Sequence, residues 1–186
     1  MTTSFKRAAA AGFTLIELLI VVIILAIISA IAIPQFSSAT ADAQQSAADA
    51  NVAAVRNAIQ LYRAQHQGNT HPGVNSSKDG AGCTAGDKGA GDANSAQALK
   101  DQLQYPSNKL GQTCTVANEE FRYGPYLREG IPVDPFTNSA AIAMQLDGKP
   151  LVADGTDGWA YDTKSGQFIL NSQEKADEGD EGAAGG

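Results

Sequence analysis

Few residues in this chain have types and spacing that could do chemistry. Glu17 is the most unusual. It is an acid inside an apolar run, Phe13–Ile33, whose only other polar members are Thr14 and Ser29. An acidic side chain is costly at membrane depth and is retained there for a reason. A cut after Gly12 would supply one. It would create a positive α-amine on Phe13, one helical turn from Glu17, and the carboxylate could pair with that amine or with a neighbouring chain's. Glu17 also sits in the first helical turn, where negative charge suits the helix dipole. The second group is Cys83 and Cys114, 31 positions apart. On the outer side of a membrane a disulfide loop staple is favoured over free thiols, and the chain-entropy account gives that loop about 3–4 kcal/mol. The third is a late set of carboxylates, Asp134, Asp147, Asp154, Asp157 and Asp162. Converging oxygens bind Ca²⁺, but no EF-hand spacing is present and solvated turn aspartates explain the set as well. His66 and His71 stand five apart with no Cys pair nearby, which gives no metal-site pattern. No Gly-x-Ser-x-Gly elbow, Walker loop or dinucleotide fingerprint occurs. The chain reads as a substrate of enzymes, not as an enzyme.

The elements that must hold these residues follow from composition. The chain has 186 residues, 13 Lys and Arg against 20 Asp and Glu, a net charge of −7 and a pI near 4.7. That balance argues against phosphate-neutralising nucleic-acid binding. Hydrophobic residues make up 43 % of the chain but are concentrated in Phe13–Ile33. As a helix this block spans about 31 Å, against about 30 Å for a bilayer core. Lys6 and Arg7 precede it and no basic residue follows until Arg56, so the N-terminus faces the cytoplasm and the remainder faces outward. Three fates remain open. The block is an uncleaved anchor, a signal peptide cut after Ala32 in Ala30-Ile31-Ala32, or a helix freed by a cut after Gly12. Glu17 favours the last, because a signal peptide gains nothing from it.

Residues 34–67 stay helix-friendly, with Val52, Val55, Ile59 and Tyr62 on one face. One helix of about 80 Å over Phe13–Gln65 is expected, apolar all round at first and amphipathic later. Pro34 should kink or locally open it. The stripe reads as core packing. Gly68–Gln97 carries seven glycines in 30 residues and reads as a long surface loop. Ser95 should cap a short helix carrying Ala96, Leu99 and Leu103. Ala140–Leu146 reads as a strand, Asp147-Gly148-Lys149-Pro150 as a turn and Leu151–Ala153 as its return. Trp159–Asp162 and Gln167–Asn171 flank a hairpin turn at Thr163–Gly166. Residues 173–186 form an acidic, Gly-rich tail expected to be disordered. The whole is α+β: a cytoplasmic leader over 1–12, an apolar helix over 13–33, its amphipathic continuation over 34–67, and loop plus small antiparallel sheet over 68–172.

Gly12-Phe13-Thr14-Leu15-Ile16-Glu17, the apolar run behind it, and Pro34, 21 residues after Phe13, together resemble the type III signal of type IV pilins and type II secretion pseudopilins. The resemblance implies that a membrane-embedded prepilin peptidase cuts between Gly12 and Phe13 and N-methylates Phe13. It implies that Glu17 pairs with the N-terminal amine of an adjacent subunit, and that Pro34 is the family's helix proline. Implied partners are copies of the chain itself, minor pilins or pseudopilins, the peptidase, membrane lipid, and an inner-membrane platform with its ATPase. The implied location is the bacterial inner membrane as a single pass, then a filament in the periplasm or at the surface. Pro132-Val133-Asp134-Pro135-Phe136 with Gly158-Trp159-Ala160-Tyr161-Asp162 resembles, more loosely, the C-terminal part of major pseudopilins. Those bind calcium after their Asp-Pro element. Phe136–Asp157 departs from them in length and sequence, so Ca²⁺ stays open as a cofactor with no ligand assigned. The cysteine pair lies before the sheet, unlike the C-terminal disulfide loop of many pilins. The leaning is to a major pseudopilin of a type II secretion pseudopilus. A type IV pilus subunit is the alternative, and a secreted binding module cut after Ala32 or a permanent anchor are readings of other classes.

Overall fold

A computed structural model describes residues 13–66, 68, 70–84, 86–156 and 158–172. Gly12, the leader, the acidic tail and Asp157 lie outside them. The element order is α1 (Leu15–Gln65), α2 (Ala96–Gln104), β1 (Ile142–Gln145), β2 (Trp159–Asp162) and β3 (Phe168–Leu170). Contacts divide the chain into two units, Met1–Ala43 and Gln44–Gly186.

In the first unit, Leu15–Ile33 is a 19-residue helical stretch long and apolar enough to cross a membrane, with none of it buried. The α1 helix runs through Pro34. A proline removes only one N–H from the i−4 ladder, and the bonds around it remain. Further on, the Thr40 hydroxyl donates to the Phe36 carbonyl at 2.8 Å, the usual back-bond of a mid-helix threonine.

In the second unit the amphipathic part of α1 supplies one wall of the core. Val55, Ile59 and Tyr62 are fully buried, Ala48 and Ala58 join them, and Val52 is half-buried. This is the predicted face. Leu99 and Leu103 of α2 and Trp159, Tyr161 and Phe168 of the sheet complete the cluster. Trp159 and Tyr161 are two apart on β2, so they share a face. The Trp159 ring tilts against Phe168 at 5.3 Å between centroids. Side chains of α1 also fasten β3 and a loop: Arg56 Nε donates to the Phe168 carbonyl at 2.9 Å, and Gln44 Nε2 to that of Pro135 at 3.1 Å. Ser95 caps α2 as expected, its hydroxyl accepting from the Ala98 N–H at 3.1 Å.

The sheet has the order β1-β2-β3 and is mixed. The β2–β3 hairpin is antiparallel, with Trp159 opposite Leu170 and Tyr161 opposite Phe168. The pairing of β1 corrects the antiparallel expectation: it runs parallel to β2, Ile142 beside Trp159 and Gln145 beside Asp162. A parallel pair needs a crossover, not a tight turn. Residues 146–158 provide it. The chain bends at Asp147, with Gln145 Nε2 donating to Asp147 Oδ1 at 2.7 Å and to the Lys149 carbonyl at 2.9 Å. Leu151–Ala153, however, makes no strand. The Leu151 N–H is taken by the Gln167 side chain at 3.0 Å, and the chain passes on towards the start of β2.

The Gly-rich segment is less of a surface loop than its composition suggests. Asp101, on α2 and 3 % exposed, holds it in place. One carboxylate oxygen, Oδ2, accepts from Ser77 Oγ at 2.6 Å, the Ala90 N–H at 2.8 Å and the Gly91 N–H at 3.1 Å. Gly91 sits so close to the first turn of α2 that a Cβ there would stand 2.1 Å from the Ala98 nitrogen. Only glycine allows that approach.

Candidate assembly site at the N-terminus

Phe13 is 88 % exposed and begins the described chain. Thr14 stands at the N-cap position of α1 and Glu17 three residues on. The Thr14 N–H and hydroxyl both donate to Glu17 Oε2, at 2.9 and 2.7 Å. The Glu17 N–H donates back to Thr14 Oγ1 at 3.3 Å. This is the reciprocal capping box of a helix start, in which each side chain satisfies the other residue's orphan N–H. Sequence reasoning took Thr14 only as an interruption of the apolar run. The Thr-x-x-Glu spacing was the signal for it.

Behind the box every side chain from Leu15 to Ile31 is exposed. Leu18, Ile20 and Val21 line a shallow apolar surface beside Glu17 and Phe13. An apolar surface of this extent needs lipid or another apolar helix around it. The arrangement can insert, and it can pack helix on helix. It holds its one charged side chain where an amine could reach it.

The other predicted residues are placed elsewhere. Cys83 and Cys114 form a disulfide, with Cα atoms 5.8 Å apart. The described aspartates are held by local hydrogen bonds in separate segments, and Asp154 also reaches Asn171 beyond β3. Asp134 accepts from the Phe136 N–H and Thr137 hydroxyl, Asp154 from Thr156 and Asn171, and Asp162 from the Lys164 N–H and Ser165 hydroxyl. Among the described residues no three His, Cys, Asp or Glu side chains converge as metal ligands would. The two stretches carrying the looser C-terminal resemblance do meet: Trp159 Nε1 donates to the Pro132 carbonyl at 2.8 Å.

The histidines are structural. His66 is buried and stacks on Tyr62 with centroids 3.6 Å apart. Its Nδ1 lies 2.8 Å from the Tyr62 carbonyl and so carries the proton. Nε2 then accepts from Ser107 Oγ at 3.0 Å. His71 Nδ1 lies 3.1 Å from the Thr163 carbonyl in the hairpin turn. Burial lowers the pKa of both imidazoles, and Arg63 lowers that of His71 further. The unfolded chain therefore binds more protons just below its ordinary imidazole pKa of about 6.5, and folding must lose stability there. Melting of the detergent-solubilised chain should hold level from neutral pH to about 6.5 and fall below it. His66→Gln should flatten that fall. A melting temperature that rose on acidification would contradict the assigned proton.

Residues 7–33 match the family described as the prokaryotic N-terminal methylation motif. The chain is also 49 % identical, over 59 residues, to the type IV narrow pilus major component PilA5 of Thermus thermophilus. Both likenesses are to the type IV pilin class, and both fall on the N-terminal part of the chain. The likeness covers 32 % of this chain and 51 % of the relative, so the chain spans about half the length of the curated relative it matches. No solved structure matches it. The chain itself is α+β, with an apolar N-terminal helical stretch and a small mixed sheet.

Proposed function

We propose that the protein is a structural subunit of a filament, anchored as a single-pass precursor and assembled through residues 13–33. The observation that carries this is the methylation motif laid on a fully exposed apolar helix. In this reading a prepilin peptidase cuts between Gly12 and Phe13, and Phe13 is N-methylated. The apolar helices then leave lipid and pack on one another, so their surface is never given to water. Glu17 pairs with the Phe13 amine of a neighbour and sets the axial register. The domain from Gln44 onward coats the outside, stapled at Cys83–Cys114. Nothing in this account needs catalysis by the chain, and the work of assembly comes from a partner platform.

Of the two filament types, the likeness to a pilus major component favours a type IV pilus. The pseudopilus reading keeps one observation of its own, the contact of Trp159 with the Pro132–Phe136 segment that resembles major pseudopilins. Shearing cells separates them. A type IV pilus subunit should appear in the sheared surface fraction. A pseudopilin should stay with the envelope, and its deletion should block export of other proteins.

A further inference from the structure

We propose that Thr14 positions Glu17 for assembly, holding one carboxylate oxygen and leaving the other for an incoming amine. The inference rests on the filament reading above. Glu17 Oε2 is bound twice by Thr14, once by the amide and once by the hydroxyl. Among the described residues no donor sits on Oε1. A free glutamate side chain samples many rotamers, and ordering it at the moment of docking costs conformational entropy. Here the box orders it beforehand, which is preorganisation for the partner. Both residues follow the Gly12–Phe13 bond, so the box can exist in the precursor and in the cut chain alike. Only the amine awaits the cut. Thr14 also provides what the helix dipole alone does not, a direction: the carboxylate is turned towards residue 14, at the end of the chain where an N-terminal amine would approach.

Capping the helix and positioning Glu17 can be separated. Glycine is nearly as good an N-cap as threonine and alanine is much worse, yet neither offers a hydroxyl. Serine keeps both roles. The test expresses Thr14→Ser, Thr14→Gly, Thr14→Ala and Glu17→Ala in the native host. Intact mass reads processing, and the filament share of the total chain reads assembly. We expect all four to be cut and methylated. Thr14→Ser should assemble like the parent. Thr14→Gly and Thr14→Ala should both lose at least about ten-fold in filament share, the scale of one hydrogen bond to a charged group. Filaments of Thr14→Gly at the parent level would overturn the proposal and leave Thr14 a helix cap only. Uncut Thr14 variants would overturn it too, assigning the residue to peptidase recognition. Failure of the filament reading looks different: Glu17→Ala would assemble normally, or the parent chain would not be cut after Gly12.

Discussion

Glu17→Ala is expected to abolish filaments while leaving the chain folded, inserted and cut. The side chain takes no part in the core that closes around Val55, Ile59 and Trp159, so the outer domain should melt as the parent does. Removing an acid from an apolar segment should, if anything, ease insertion. What is lost is the partner of an amine. In a packed bundle of apolar helices an unpaired ammonium is left in low dielectric, and breaking such a pair costs several times the free energy of a tenfold change. Filament yield should therefore fall by more than about ten-fold. Glu17→Gln should rescue little, because it keeps the shape and some hydrogen bonding but not the charge. Sheared or pelleted filament relative to the membrane pool measures this. Normal filaments from Glu17→Ala would remove the charge-pairing account.

The second large effect belongs to the domain. Asp101→Ala removes the acceptor shared by Ser77, Ala90 and Gly91, and the Gln97 amide at 2.7 Å loses its partner as well. The Gly91 N–H keeps Ser77 Oγ at 2.8 Å and the Ser77 hydroxyl can turn to the Gly91 carbonyl at 3.3 Å, so the loss falls on the shared acceptor and on the Ala90 N–H it held. Each buried donor so orphaned costs about 1–3 kcal/mol. A loss of about 2–3 kcal/mol is expected, a sizeable fraction of a typical total of about 5–15 kcal/mol. The melting temperature should drop by about 5–12 °C. Asp101→Asn should fall between, since it keeps one acceptor oxygen but turns an NH₂ towards existing donors. Hydrogen exchange would localise the change, with the Ala90 and Gly91 amides losing protection first. An unchanged melting temperature in Asp101→Ala would show that the Gly-rich segment is held by something else.

These two residues also mark what the sequence could and could not disclose. Glu17 is legible because an acid in an apolar run has no bland explanation. The long helix, the cap at Ser95 and the Thr163–Gly166 hairpin were legible for a similar reason: each is written in adjacent residues, as a period, a cap or a turn. The mixed sheet was not. Ile142–Gln145 reads as a strand in either direction, and the return suggested by Leu151–Ala153 was outbid by the Gln167 side chain. Local signals do not carry strand pairing across a crossover. Asp101 was illegible too. In the sequence it is one polar residue on a short amphipathic helix, and its role depends on backbone donors at residues 90 and 91 brought to it by folding. The carboxylates that looked like a group, Asp134, Asp147, Asp154 and Asp162, are close in sequence but each accepts from donors in its own segment rather than converging with the others. Thr14 lay in plain view, and a reading tuned to apolar residues passed over its spacing from Glu17.

The measurement that tests the central claim most directly is the intact mass, with N-terminal fragmentation, of the protein from its native envelope. The account predicts a chain that begins at Phe13 and is heavier by one methyl group on that residue. Gly12→Asp, in the same measurement, should leave the full precursor. A native chain that begins at Ile33 would contradict the account, since the helix meant to build the filament would be gone. A chain that still carries residues 1–12 would contradict it as well, for no amine would exist at Phe13 for Glu17 to meet.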